Sequence, residues 1–190
     1  AEMPHVPEDL LAEFDCTLRT DDLELLPFTQ PLPFLADLDQ TLRRSLRLVD
    51  LTSEMARRET LIAPILLTIC HFANTRLKIE YPISVSNLLR GSLGYYIPSL
   101  NNMLVIEAKQ ADLSRGFVQL AVELIALDQW LESGTPVLYG AVTTGDAWKL
   151  GYFDRRQRQI TRDLNLYSVP ANLEVLVRLL VGVLQPVQGI

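Results

Sequence analysis

The chain has 190 residues, 48% hydrophobic and 21% charged, with a net charge of −6; this is the size of one ordinary globular domain with an appendage, long enough to bury a core without disulfides or a structural metal. Two cysteines exclude a disulfide framework, and no stretch reaches the roughly 18 uninterrupted apolar residues of a spanning helix. The expected setting is cytoplasmic, and the acidic start Ala-Glu-Met-Pro-His, with no apolar run behind it, argues against a signal peptide.

Charge is unevenly distributed. Residues 1–40 hold ten acids and one base, whereas the remainder carries sixteen bases against thirteen acids. A mildly basic body is compatible with a polyanionic partner, while the acidic leader reads as a solvated arm. Residues 1–48 are weakly periodic and broken by Pro27, Pro31 and Pro33, which predicts an acidic appendage of short helices or irregular structure packed on a body formed by residues 49–190. Asp50-Leu51-Thr52-Ser53-Glu54 has the hydroxyl cap and first-turn acid of a helix start. Leu61, Ile62, Ile65, Leu66 and Ile69 continue it as an apolar stripe at helical spacing, with a kink expected at Pro64.

Residues 76–81 alternate and predict a strand; residues 91–97 predict a second, weakened by two glycines. Turn chemistry follows at residues 98–102, then residues 103–109, apolar almost throughout, predict a central strand. Asp112 is placed to cap a long helix ending before Ser133-Gly134. Residues 136–143 and 147–153 predict a strand pair joined through Thr144-Gly145-Asp146, residues 157–167 an edge strand, and residues 172–184 a closing amphipathic helix packed on the sheet or on a second copy, so that a homodimer is one expectation. A helix linking two buried strands implies a right-handed parallel crossover. The fold class expected is α/β, a mixed β-sheet flanked by helices with an αβββαβ core.

Period-two geometry makes Glu107 and Lys109 project together, while Leu104, Ile106 and Ala108 enter the opposite layer. A carboxylate and an ammonium at the end of a buried strand are costly to desolvate unless paired or ligated, so the choice is between an ion pair and a chemical site.

The context resembles the PD-(D/E)XK, or restriction-endonuclease-like, superfamily, and is similar to the nuclease domains at the N-termini of type I restriction-enzyme subunits. The resemblance runs from about residue 52 to 184 and rests on four blocks: Ser53-Glu54-Met55-Ala56-Arg57-Arg58 with Leu61–Leu66, the strand Val105-Ile106-Glu107-Ala108-Lys109, the turn Arg115-Gly116-Phe117-Val118-Gln119, and Tyr139 through Trp148. It implies Mg²⁺ (or Mn²⁺) held by Glu107, the backbone carbonyl of Ala108 and Glu54, with Lys109 positioning the attacking water and Gln119 orienting the site. The family's pattern also has an aspartate in a Gly-x-x-Asp-Tyr run. Here that run is Gly91-Ser92-Leu93-Gly94-Tyr95, and glycine offers no ligand. Glu80, on the preceding strand, is the first substitute and Asp112 a weaker one. Two functions follow from the resemblance: a Mg²⁺-dependent nuclease hydrolysing DNA phosphodiester bonds, or a catalytically inactive relative kept as a nucleic-acid-binding or protein-interaction module.

Other chemistry-bearing residues have plainer readings. His71 and His5 are given no role; Trp130 and Trp148 fit packing better than base stacking; of Tyr95 and Tyr96, one is expected in the core and one over the site. Arg155, Arg156, Arg158 and Arg162 form the one dense basic cluster, equally suited to phosphates and to a solvated turn.

Overall fold

The computed structural model describes residues 7–84, 90–100 and 102–185. His5 and the turn residue Asn101 lie outside the described residues. The chain runs α1 (Pro7–Ala12), β1 (Thr17–Asp21), α2 (Leu35–Leu48), α3 (Glu54–Arg57), a π-helical turn (Arg58–Ile62), α4 (Ala63–Ala73), β2 (Lys78–Ser84), β3 (Arg90–Pro98), β4 (Met103–Ala108), α5 (Leu113–Trp130), β5 (Val137–Thr143), β6 (Ala147–Asp154), β7 (Gln159–Asp163), β8 (Tyr167–Ser168) and α6 (Leu173–Leu184). The strands form one mixed sheet in the order β1-β7-β6-β5-β4-β3-β2, with β8 on β6. The β4–β5 pair, joined through α5, is parallel, as is β1–β7; the other pairs are antiparallel. The expected α/β class and the helix–three strands–helix–strand order are therefore present.

Local chemistry explains the element ends. The Ser53 hydroxyl accepts the Ala56 N–H at 3.1 Å and starts α3. Pro64 has no N–H to give the preceding turn, and the chain widens into the π-helical turn before it, which is the form the expected kink takes. The Asp112 carboxylate accepts the Arg115 N–H at 3.0 Å and caps α5.

The sheet separates two apolar layers. One face packs on α2, α4 and α6 and takes Leu104, Ile106 and Ala108; the other packs on α5 and takes Met103 and Val105. All six residues of β4 are buried, so Glu107 lies under α5. The closing helix packs on the sheet and α4, burying Leu173, Leu176, Val177 and Leu180.

Two expectations change. The strand expected at residues 157–167 is shorter and is not an edge: β1 pairs with β7 in parallel, Thr17 opposite Gln159 through Asp21 opposite Asp163. The leader thus extends the sheet as well as packing on it. Its next segment is bound to α6: Phe28 donates its N–H to the Arg178 carbonyl at 2.9 Å, and Arg178 Nη1 returns bonds to the Phe28 and Gln30 carbonyls. No described helix is long and apolar enough to cross a membrane.

Candidate functional site

Strand β4 carries Glu107 to the layer beneath α5, where its residue exposure is 6%. A buried carboxylate needs compensation, and Lys109, two residues on and on the same side, supplies it: Nζ stands 2.7 Å from Glu107 Oε1. The same ammonium donates to Gln119 Oε1 at 2.6 Å, and Gln119 Nε2 donates to Glu123 Oε1 at 3.2 Å. Gln119 reaches this position because α5 sits very close to the sheet. A Cβ on Gly116 would lie 2.6 Å from Val142 Cγ2 and 2.8 Å from Lys109 Cγ, so only glycine permits this approach. Ala108 is buried with its side chain in the other layer.

Glu123 was not anticipated. It lies one turn beyond Gln119 on α5, and the four-residue spacing is the signal that would have found it. Burial first, then the charge of Glu107, push its carboxyl up to about 8, against the opposing hydrogen bond from Gln119 and the smaller opposing charge of Lys109. Burial removes the water that would stabilise the charged carboxylate, and the negative charge of Glu107 beside it adds to that penalty. Glu123 Oε2 is buried without a hydrogen-bond partner among the described residues.

The register explains what Gly94 does. Tyr95 pairs with Ile106, so Gly94 falls opposite Glu107, and a Cβ on it would stand 3.6 Å from Glu107 Oε2 and 3.3 Å from the Ile106 carbonyl oxygen. A side chain here would therefore point at the Glu107 carboxylate. On the other flank, Glu80 falls opposite Gly94, between the pairs Ile79–Tyr95 and Tyr81–Leu93. Its backbone is left-handed, φ 49°, and its carboxylate is taken up elsewhere: Oε1 receives Arg58 Nη2 at 2.7 Å and Oε2 receives Ser92 Oγ at 3.0 Å. Those bonds hold its carboxyl below the usual range, the Arg58 bond most of all.

Arg58 is the second residue not anticipated. Its guanidinium sits 4.8 Å above the Tyr95 ring, donates Nε to the Tyr95 hydroxyl at 3.2 Å, and stands 3.7 Å from Glu54 Oε1. Glu54, on the first turn of α3, is thus gathered with Glu80 around an arginine, apart from Glu107. The neighbouring Arg57 anchors this helix start to the β5–β6 turn through the Thr144 carbonyl and Asp146 Oδ1, both at 2.9 Å.

The structure therefore brings Glu107, Lys109 and Gln119 together, adds Glu123, and sets Glu54 and Glu80 in a separate group on Arg58. Asp112 is spent on the cap of α5. Among the described residues no three His, Cys, Asp or Glu side chains converge as a metal-holding group. The donors implied for Mg²⁺ do not fit it as they stand: Glu107 is already paired with the Lys109 ammonium, and Glu54 and Glu80 face the Arg58 guanidinium.

The remaining residues sort by contact. Arg155 and Arg158 both bind Asp128, at 2.6 and 2.9 Å, and Arg155 also binds the Ser133 and Thr135 carbonyls; they fasten the β6–β7 turn to the end of α5. Arg156 is exposed. Trp148 is fully buried, its indole N–H on the Gly145 carbonyl at 3.0 Å. Trp130 is partly exposed and meets Tyr81 edge-on, and His71 meets Phe34 and Phe72 in the same way. Tyr95 and Tyr96 are both buried, in opposite layers. Compared with protein-family models, curated proteins and solved structures, the chain matches none.

Proposed function

We propose that the chain is a restriction-endonuclease-like domain of the PD-(D/E)XK lineage that does not hydrolyse phosphodiesters as it stands and serves as a nucleic-acid-binding module. The observation that carries this reading is the position of Gly94: directly opposite Glu107, its absent side chain is the one that would point at that carboxylate. The acids best placed to compensate, Glu54 and Glu80, are held on Arg58. Support for the lineage comes from the order α3/α4–β2–β3–β4–α5–β5, with β4 and β5 parallel, and from the side chains of Glu107, Lys109 and Gln119 meeting under α5.

A second reading, a Mg²⁺- or Mn²⁺-dependent nuclease acting on DNA, is favoured by that same Glu107–Lys109–Gln119 network, in which the Lys109 side chain keeps 26% of its exposure. It requires a further oxygen donor at Glu107 and the Ala108 carbonyl, and Glu80, opposite Gly94, is the nearest in register.

DNA cleavage with Mg²⁺ or Mn²⁺ separates the two. The wild type is expected to be inactive, Gly94→Asp to gain cleavage, and Lys109→Ala in the Gly94→Asp background to lose it again. Cleavage by the wild type that disappears in Lys109→Ala would replace the first reading with the second. The binding half is checked separately: a fluorescein-labelled oligonucleotide should bind the wild type with an affinity that falls steeply as salt rises.

A further inference from the structure

A groove of about 510 Å³ runs between α1, the first half of α5 and β7, a size within the range of small-ligand sites. Its walls have two characters. One is cationic: Arg115 and Arg162 both line it, neither has an acidic partner among the described residues, and Ser114 adds a hydroxyl. The other is apolar: Val118 and Val122, one turn apart on α5, face Leu10 of α1. The single carboxylate on the wall among the described residues, Asp112, is bonded to the Arg115 N–H and so is partly occupied. Arg162 is held in place, its guanidinium 5.8 Å from the Phe117 ring and its Nη2 on Thr20 Oγ1 at 3.1 Å. Gln119, the Lys109 partner, lies on the rim.

We infer that this groove binds a phosphorylated nucleotide, free or at the end of a strand, with the phosphate between Arg115 and Arg162 and the base against Val118, Val122 and Leu10. Two guanidiniums with no acidic partner among the described residues can offer charge-assisted, bidentate bonds to a phosphate. A phosphate alone, or a sugar phosphate, would leave the apolar wall wetted; a base covers it. The site is separate from the Glu107 carboxylate and takes no part in bond cleavage. It deepens the nucleic-acid reading by naming the unit recognised, and rests on that reading only for the strand as a source.

Calorimetric titration of the full chain with inorganic phosphate, ribose 5-phosphate, AMP and a tetranucleotide with and without a 5′-phosphate tests it. AMP should bind about tenfold or more tightly than ribose 5-phosphate, and Arg115→Gln should weaken AMP by a similar factor. Arg115 is exposed and its side chain bonds to no other residue among the described ones, so Arg115→Gln is expected to fold; Val118→Glu, checked by circular dichroism, challenges the apolar wall independently. A 5′-phosphate that strengthens the tetranucleotide identifies a strand end as a source, and no such gain identifies the free nucleotide. AMP no tighter than inorganic phosphate, or unchanged in both variants, would overturn the groove assignment. Oligonucleotide binding that persists when AMP fails would remove the groove alone. AMP binding lost in Arg115→Gln, with no oligonucleotide bound by the wild type, would keep the groove and remove the nucleic-acid reading.

Discussion

Glu123 and Glu107 stand in contact beneath α5, and the consequence for stability can be given a sign. The carboxyl of Glu123 is pushed from an ordinary 4.5 up to about 8. Between those values the folded chain holds a proton that the unfolded chain has released, so stability falls as pH rises through that window, and the full cost is present above about pH 8. Glu123→Gln keeps the shape and the donor but cannot ionise. It should therefore match the wild type near pH 4 and exceed it at pH 9 by on the order of 1–3 kcal/mol. Urea unfolding at the two pH values checks this; a difference independent of pH would show that Glu123 is not held neutral. Gly94→Asp tests the same site from β3. A third carboxyl beside Glu107, with its Cβ 3.3 Å from a backbone oxygen, should destabilise the metal-free protein by about 1–3 kcal/mol. Excess Mg²⁺ should restore the melting temperature of this variant and leave that of the wild type unchanged.

At the scale of the element, the close seat of α5 is the feature on which the site depends. Gly116 allows it, and Gly116→Ala forces a Cβ into Val142 and the stem of Lys109. Either α5 lifts or Lys109 swings away, and both break the Lys109–Gln119 bond. A loss of about 1–3 kcal/mol is expected, together with the appearance of a more reactive Lys109 amine in competitive acetylation. The start of α3 depends instead on a single cap: Ser53→Ala removes the bond to Ala56 and should cost about 1 kcal/mol. That change also loosens the hold of Arg58 on Glu54, because both residues lie within the first turns that the cap begins.

For the whole molecule, the leader belongs to the sheet. Removing residues 1–22 takes away β1, uncovers the outer side of β7, and strips the buried Leu11 and Cys16 from the α5 layer. Exposed strand edges recruit other chains, so the truncated protein should melt several degrees lower and associate with rising concentration, as light scattering would record. Truncation that left both the melting temperature and the monomeric state unchanged would show that β1 is dispensable.

Much of this was open to reading in the chain itself. The periodicity of residues 61–69, the hydroxyl and acid at Ser53-Glu54, the apolar run ending at Glu107 and the cap at Asp112 specify elements through interactions within a few residues, and each element is found close to where those signals put it. The alternation that places Glu107 and Lys109 on one side is likewise a local property of a strand. The rest depends on distance in space. Which strand covers β7 is decided by pairing between Thr17–Asp21 and residues some 140 positions away, and a short polar segment carries no mark of its partner. The assignment of Glu54 and Glu80 to Arg58, and of Glu123 to Glu107, follows from how the segment of the π-helical turn and α4, and α5 opposite it, pack in the two separate layers of the sheet. Composition and spacing thus determined the α/β class and the shared side of Glu107 and Lys109; only the tertiary structure decided that Gln119 and Glu123 meet them and which acids do not, because a side chain's partner is chosen by register and helix seating across the sheet.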